Sequence, residues 1–218
     1  PGPARRVRLA CPMRVGRGER FEVCAVVLDE HMNLAEEGVP EDLRLHIGNG
    51  SPRKMTEAGR PGSFVSEGIS IEEAGVHVLR VSGRGLADAA LCINVSLHPP
   101  LERLYWGQLH AHSAVSDGEG TPDAYYRYGR ETGLLDICAL ADHSWEILCH
   151  ARNKAMGRFA GIRDAARRHH EPGVFVTFPA YEWMGPGGHV VVYFPDDGVE
   201  GPVCCDAILP DTNCPTKE

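Results

Sequence analysis

Pro99 and Pro100 stand side by side near the middle of the chain, and the hydrophobic pattern changes across them. Adjacent prolines lack two of the N–H donors that a sheet ladder or a helix needs, so regular structure stops there. This break places a domain boundary at His98-Pro99-Pro100, between residues 1–100 and residues 101–218.

Upstream of the break the pattern is β alone. Phe21–Leu28 reads FEVCAVVL, Leu43–Ile47 and Gly75–Val81 alternate, and Ala89–Leu97 reads AALCINVSL. Asn49-Gly50, Pro61-Gly62 and Ser82-Gly83 are turn signals between these runs. Short strands spaced by turns predict an antiparallel sandwich of immunoglobulin type.

Downstream, strand and helix alternate. Leu104–Leu109 is a short strand candidate. Thr121-Pro122-Asp123 predicts a helix start, with Thr as cap and Pro in the first turn, and Gly133 predicts its end. Leu134–Leu140 reads as a buried strand. Ser144 can cap a second helix, in which Leu148, Ala151, Ala155, Phe159, Ile162 and Ala166 recur at steps of three and four. Pro172-Gly173 closes that helix, and Val174–Ala180 and Val190–Phe194 are further strands. This order predicts a parallel sheet or barrel with ligands gathered at the carboxyl ends of its strands.

Charge narrows the partners. Residues 1–100 hold 12 Lys+Arg against 13 Asp+Glu, whereas residues 101–218 hold 10 against 17. An acidic second half repels a phosphate backbone and suits bound cations, so nucleic acid is not expected as a partner. No apolar run approaches the roughly 20 residues that span a bilayer, and Pro1–Ala10 shows no signal-peptide pattern. The chain has eight cysteines and no CxxC pair, which reads as buried free thiols. Cys204, Cys205 and Cys214 could bind metal, but their spacing matches no zinc pattern.

The chemistry-bearing residues fall just after the expected strands. His110 and His112 occur in WGQLHAHSAVSDG, and side chains two apart on an extended chain point the same way. Asp117 follows in a loop that Ser116 and Gly118 make flexible. His143 lies in ALADHSW, Glu182 in PAYEWMG, and His189 opens GHVVVYF. Each has a plain alternative: an incidental His-x-His, a turn-forming Asp117, a satisfied loop His143, a solvated Glu182, an edge-strand His189. Their coincidence at successive strand ends favours a metal site. Imidazole and carboxylate together suit Zn, Mn or Fe, and a set of this size suits more than one ion. His150, His169 and His170 read as surface groups on the long helix, and His31, His46, His77 and His98 show no clustering.

The run WGQLHAHSAVSDGEGTPDAYYRYGRETGLLDICALADHSW, with the YEW and GHVVVYF segments after it, resembles the opening of PHP (polymerase and histidinol phosphatase) domains. Within that superfamily it resembles the DUF3604 family. The similarity covers roughly residues 101–198. It implies an α/β fold in which an all-β immunoglobulin-like sandwich precedes part of a distorted (β/α)7 barrel. It also implies a metal-dependent hydrolase, a phosphoesterase, acting on a small-molecule phosphate ester through a metal-bound hydroxide. By motif position, His110, His112, Asp117, His143, Glu182 and His189 match ligand positions of a site for two or three divalent ions. Gln108 stands where Asp is usual and supplies no charge to orient an imidazole, whereas Asp142 is a candidate for that supporting role. No histidine follows His189, so the remaining ligands, a further His and an Asp-x-His, are expected beyond Glu218 in a longer protein. Two other readings remain: an amidohydrolase, which also uses His-x-His, and a non-catalytic binding module with a degenerate barrel.

Overall fold

A computed structural model of the chain describes residues 1–144, 152–185 and 188–195. Two compact units divide between Tyr105 and Trp106, shortly after the paired prolines.

The first unit is a two-sheet sandwich. Its strands are β1 (Arg6–Ala10), β2 (Arg14–Gly16), β3 (Phe21–Leu28), β4 (Arg44–Ile47), β5 (Arg53–Lys54), β6 (Thr56–Glu57), β7 (Ser63–Ile69), β8 (Gly75–Ser82) and β9 (Ala89–Ser96). One sheet runs β1-β3-β7-β6 and the other β2-β9-β8-β4-β5. Alternation decides which side chains meet between them: Val23, Ala25 and Val27 on β3, Leu79 and Val81 on β8, and Ile93 and Val95 on β9 share one buried core. Burying each large aliphatic side chain there contributes about 1.5–3 kcal/mol. One pairing departs from the antiparallel expectation, because β2 lies parallel to β9. Cys11 and Cys24 are free thiols, pushed up to about 12 and about 11 chiefly by burial. Cys149, Cys204, Cys205 and Cys214 lie outside the described residues.

The second unit contains β10 (Gly107–Gln108), α1 (Pro122–Glu131), β11 (Ile137–Leu140), α2 (Arg152–His169), β12 (Val176–Gly185) and β13 (Gly188–Tyr193). Its sheet order is β10-β11-β12-β13. The first three strands are parallel, but β13 returns antiparallel to β12 with Gly185 opposite Gly188. The sheet is therefore mixed, and an all-parallel arrangement does not hold over these strands.

The Thr121 side chain accepts from Ala124 N at 3.2 Å and so satisfies one of the orphan donors of α1. The helix ends at Glu131 with Thr132 as its C-cap, ahead of the expected Gly133. Helix α1 packs on β11 through Gly129, where a Cβ would stand 2.6 Å from Cys138 Sγ. From α2, Phe159, Ile162 and Ala166 enter the core with Tyr126, Leu140 and Phe175. Leu148 and Ala151, and the helix start expected just after Ser144, lie outside the described residues. His169 is not a free surface group. It is 3.2 Å from Asp123 and stacks on Tyr126, while His170 Nδ1 accepts from Thr177 N. The remaining helix histidine, His150, also lies outside the described residues.

Candidate metal centre

All six residues singled out from the sequence come together in the second unit. Backbone hydrogen bonds explain how. Ala141 N donates to Ala111 O, so the His110–His112 segment runs beside the segment that leads to His143. Glu182 N donates to Asp142 O, and His143 forms an isolated parallel bridge with Glu182. The antiparallel return of β13 puts His189 opposite Met184, two residues along β12 from Glu182 and on the same face. Tyr193 Oη donates to Leu109 O and ties β13 to the chain after β10. Glu182 thus sits within β12, which runs past the expected strand end at Ala180.

Glu182 is the centre of the cluster, with its side chain only 4% exposed. His110 Nε2 lies 3.0 Å from Oε2 and His189 Nδ1 lies 2.8 Å from Oε1, both as hydrogen bonds. His112 Nε2 and His143 Nδ1 approach the same Oε2 at 2.9 and 3.2 Å. Burial alone would raise the Glu182 carboxyl. The hydrogen bonds from His110 and His189, with the neighbouring His143 and His110 rings, outweigh it and hold the group below the usual carboxylate range. Asp117 forms the second anchor. Its Oδ1 is 2.6 Å from His112 Nδ1 and its Oδ2 is 3.4 Å from His143 Nε2. The hydrogen bond from His112 keeps this carboxyl below its ordinary range.

His112 Nε2 and His143 Nδ1 are buried and make no hydrogen bond among the described residues, despite their closeness to Glu182 Oε2. A neutral imidazole carries one N–H. In the neutral tautomer that donates to Asp117, the proton is on His112 Nδ1 and Nε2 keeps a bare lone pair, facing a carboxylate oxygen. Leaving a buried polar atom unpaired costs about 1–3 kcal/mol. A cation shared by these atoms would remove that cost.

Three overlapping groups place their ligand atoms within 4.8 Å of one another: His110, His112 and Glu182; His112, Asp117 and His143; His143, Glu182 and His189. Imidazole with carboxylate is a donor set suited to Zn, Mn or Fe. The groups differ in exposure. His112 and His143 are 19% and 12% exposed and form the floor with Glu182, whereas His110, Asp117 and His189 are 52%, 59% and 48% exposed at the rim.

The supporting residues differ from expectation. Gln108 Oε1 accepts from the backbone N–H of His110 at 3.3 Å. Among the described contacts, the Asp142 carboxylate meets no imidazole. Fully buried, it accepts from Ser113 N, Ser113 Oγ, Ser116 N and Ser116 Oγ. The turn between His112 and Asp117 is therefore pinned, not left flexible. Gly118 closes it from the other side, since a Cβ there would overlap the His112 carbonyl. Sequence reasoning missed Ser113 and took Ser116 as a loosening residue. The available signal was a pair of hydroxyls flanking a turn that is itself flanked by two ligand-type residues.

No family model and no curated protein matches the chain. Among solved structures, it is similar to the PKD domain of an M14-like peptidase from a Thermoplasmatales archaeon. That match has 13% identity and a TM-score of 0.31 over 43% of this chain and 96% of that one. The Lin-41 filamin domain matches at 14% identity and TM-score 0.33, over 44% of this chain and 99% of that one. A Bacteroides ovatus GH5 xyloglucanase in complex with a heptasaccharide gives 11% identity and TM-score 0.23, over 78% of this chain and 44% of that one. The similarity at these scores supports no argument about function, so the functional reading rests on the residues themselves.

Proposed function

We propose that the second unit is the front part of a PHP-type barrel, and that its six-residue cluster is the ion site of a metal-dependent hydrolase acting on phosphate esters. The observation that supports this most is the pair of buried, unpartnered nitrogens, His112 Nε2 and His143 Nδ1, beside the Glu182 carboxylate. The residues that would hold divalent ions are His110, His112, Asp117, His143, Glu182 and His189. When bound, such ions lower the pKa of a coordinated water and offset charge on phosphoryl oxygens.

The chain's own residues prepare that chemistry. Glu182 is held ionised in a buried position by hydrogen bonds from His110 and His189. Asp117 fixes the His112 ring through Nδ1 and so directs Nε2 into the site. The exposed rim of His110, Asp117 and His189 is where a substrate would enter, above the buried floor of His112, His143 and Glu182.

The test is hydrolysis of an aryl phosphate with added Mn2+ or Zn2+. Activity that depends on the ion, and that is lost in His110→Ala and His112→Ala chains which still fold, supports the proposal. Equal turnover in the presence of a chelator refutes it.

A further inference from the structure

Among the described contacts, the Asp142 carboxylate makes no hydrogen bond or ion pair with a candidate ligand, yet its partners adjoin the three members of one group. Ser113 follows His112, Ser116 precedes Asp117, and Asp142 itself precedes His143. Asp142 Oδ1 accepts from Ser113 N at 2.8 Å, Ser116 N at 3.2 Å and Ser116 Oγ at 2.6 Å, and Oδ2 accepts from Ser113 Oγ at 2.9 Å. Ser113 Oγ in turn accepts from Val115 N at 3.1 Å. Residues His112, Asp117 and His143 come from two separate stretches of chain, and this fully buried carboxylate fastens those stretches together.

We infer that Asp142 is a positioning residue that sets divalent-cation affinity through His112, Asp117 and His143, because each candidate group contains His112 or His143. The inference rests on the proposed metal reading and adds to it the residue that positions its buried ligands. Glu182 and His189 are aligned instead by the β12–β13 ladder, and the His110 backbone N–H bonds to Gln108. The link from Glu182 to Asp142 is through main-chain atoms, so a change of the Asp142 side chain leaves it in place. A buried carboxylate that accepts four hydrogen bonds holds its donors with little freedom, and a ligand placed by such a clasp is preorganised for its ion.

Three variants of the full chain separate this role from a general loss of folding. Asp142→Ala removes the acceptor from all four donors. Asp142→Asn keeps one carbonyl oxygen, with lone pairs for two of the three bonds now made to Oδ1. Ser116→Ala removes a single hydroxyl and leaves the carboxylate in place. Each is titrated with Mn2+ alone by calorimetry, with thermal midpoint and amide hydrogen exchange at Ser113 and Ser116 recorded without metal.

The expected result has two parts. In Ser116→Ala, Mn2+ binding weakens about tenfold to a hundredfold while the thermal midpoint without metal stays at the wild-type value. Asp142→Asn falls between wild type and Asp142→Ala, with the Ser113 and Ser116 amides exchanging faster in the order of the affinity loss. Weakening that appears only in step with a falling thermal midpoint overturns the inference, because it assigns Asp142 to general stability. Unchanged Mn2+ binding in Ser116→Ala and Asp142→Asn also overturns it. A wild-type chain that binds no Mn2+ is a different failure: it removes the metal reading itself and the inference with it.

Discussion

Gly118→Ala is the smallest change that should disable the site. The added Cβ would overlap the carbonyl carbon and oxygen of His112 and stand 2.9 Å from Ser113 N, inside the 3.0 Å that real Cβ atoms respect. All three are backbone atoms, so no rotamer change relieves the clash. His112 and the turn that carries Asp117 must move on the order of 1 Å, a misplacement that typically costs about a hundredfold in function. Binding of Mn2+, read by calorimetry, should weaken by a similar factor, equivalent to about 2.7 kcal/mol. Gly161→Ala is the matched control. It adds the same methyl group on an exposed face of α2 with nothing within 4 Å, and should leave binding unchanged. It should also raise stability by up to about 1 kcal/mol through helix propensity. Wild-type Mn2+ affinity in Gly118→Ala would show that the turn does not position His112, and the reasoning would fail.

Other consequences follow from the same geometry. His112 belongs to two of the three groups and His110 to one, so His112→Ala should weaken Mn2+ binding more than His110→Ala, read by calorimetry. Gly129→Ala should cost about 1–3 kcal/mol in denaturant unfolding by overpacking, since its Cβ would sit 2.6 Å from Cys138 Sγ. Cys138→Ala in the same chain should recover part of that loss. Asp123 accepts from Arg168 at 3.1 and 2.7 Å, and chiefly this hydrogen bond holds its carboxyl below the usual range. A depressed carboxyl stabilises the fold above its unfolded pKa and loses that contribution as pH falls through its folded value. Both partners are more than a third exposed, so Asp123→Asn should cost at most about 1 kcal/mol at neutral pH. The gap from wild type should close in acid, as thermal unfolding across pH would show.

Much of this arrangement is legible in the sequence, and the exceptions have physical causes. Phe21–Leu28 is a strand over its whole expected length, because a buried β-branched run has few alternatives. The Thr121-Pro122 start of α1 is equally plain, since capping is local chemistry. Strand β1 was not legible: RVRLA carries arginines, and none of its residues is fully buried. Strand β7 was hidden by Gly68 in a left-handed conformation and by Glu67. The antiparallel β13 had a signal that went unused, the Gly185-Pro186-Gly187-Gly188 run, which is turn chemistry fit for a hairpin. At the site, the ligand-type residues were visible because imidazoles and carboxylates are chemically conspicuous. The clasp was not visible, because serine and a buried aspartate announce nothing until long-range folding brings residues 113–116 against residue 142.

Under the proposed function, His112 Nε2, His143 Nδ1 and Glu182 face a shared divalent cation. Anomalous diffraction from crystals of the full chain grown with Zn2+, collected on both sides of the zinc absorption edge, tests it directly. A strong anomalous peak is expected in contact with those three side chains, and its loss is expected in Glu182→Gln. A map with no peak there, or with zinc only on surface histidines such as His31 and His98, would contradict it.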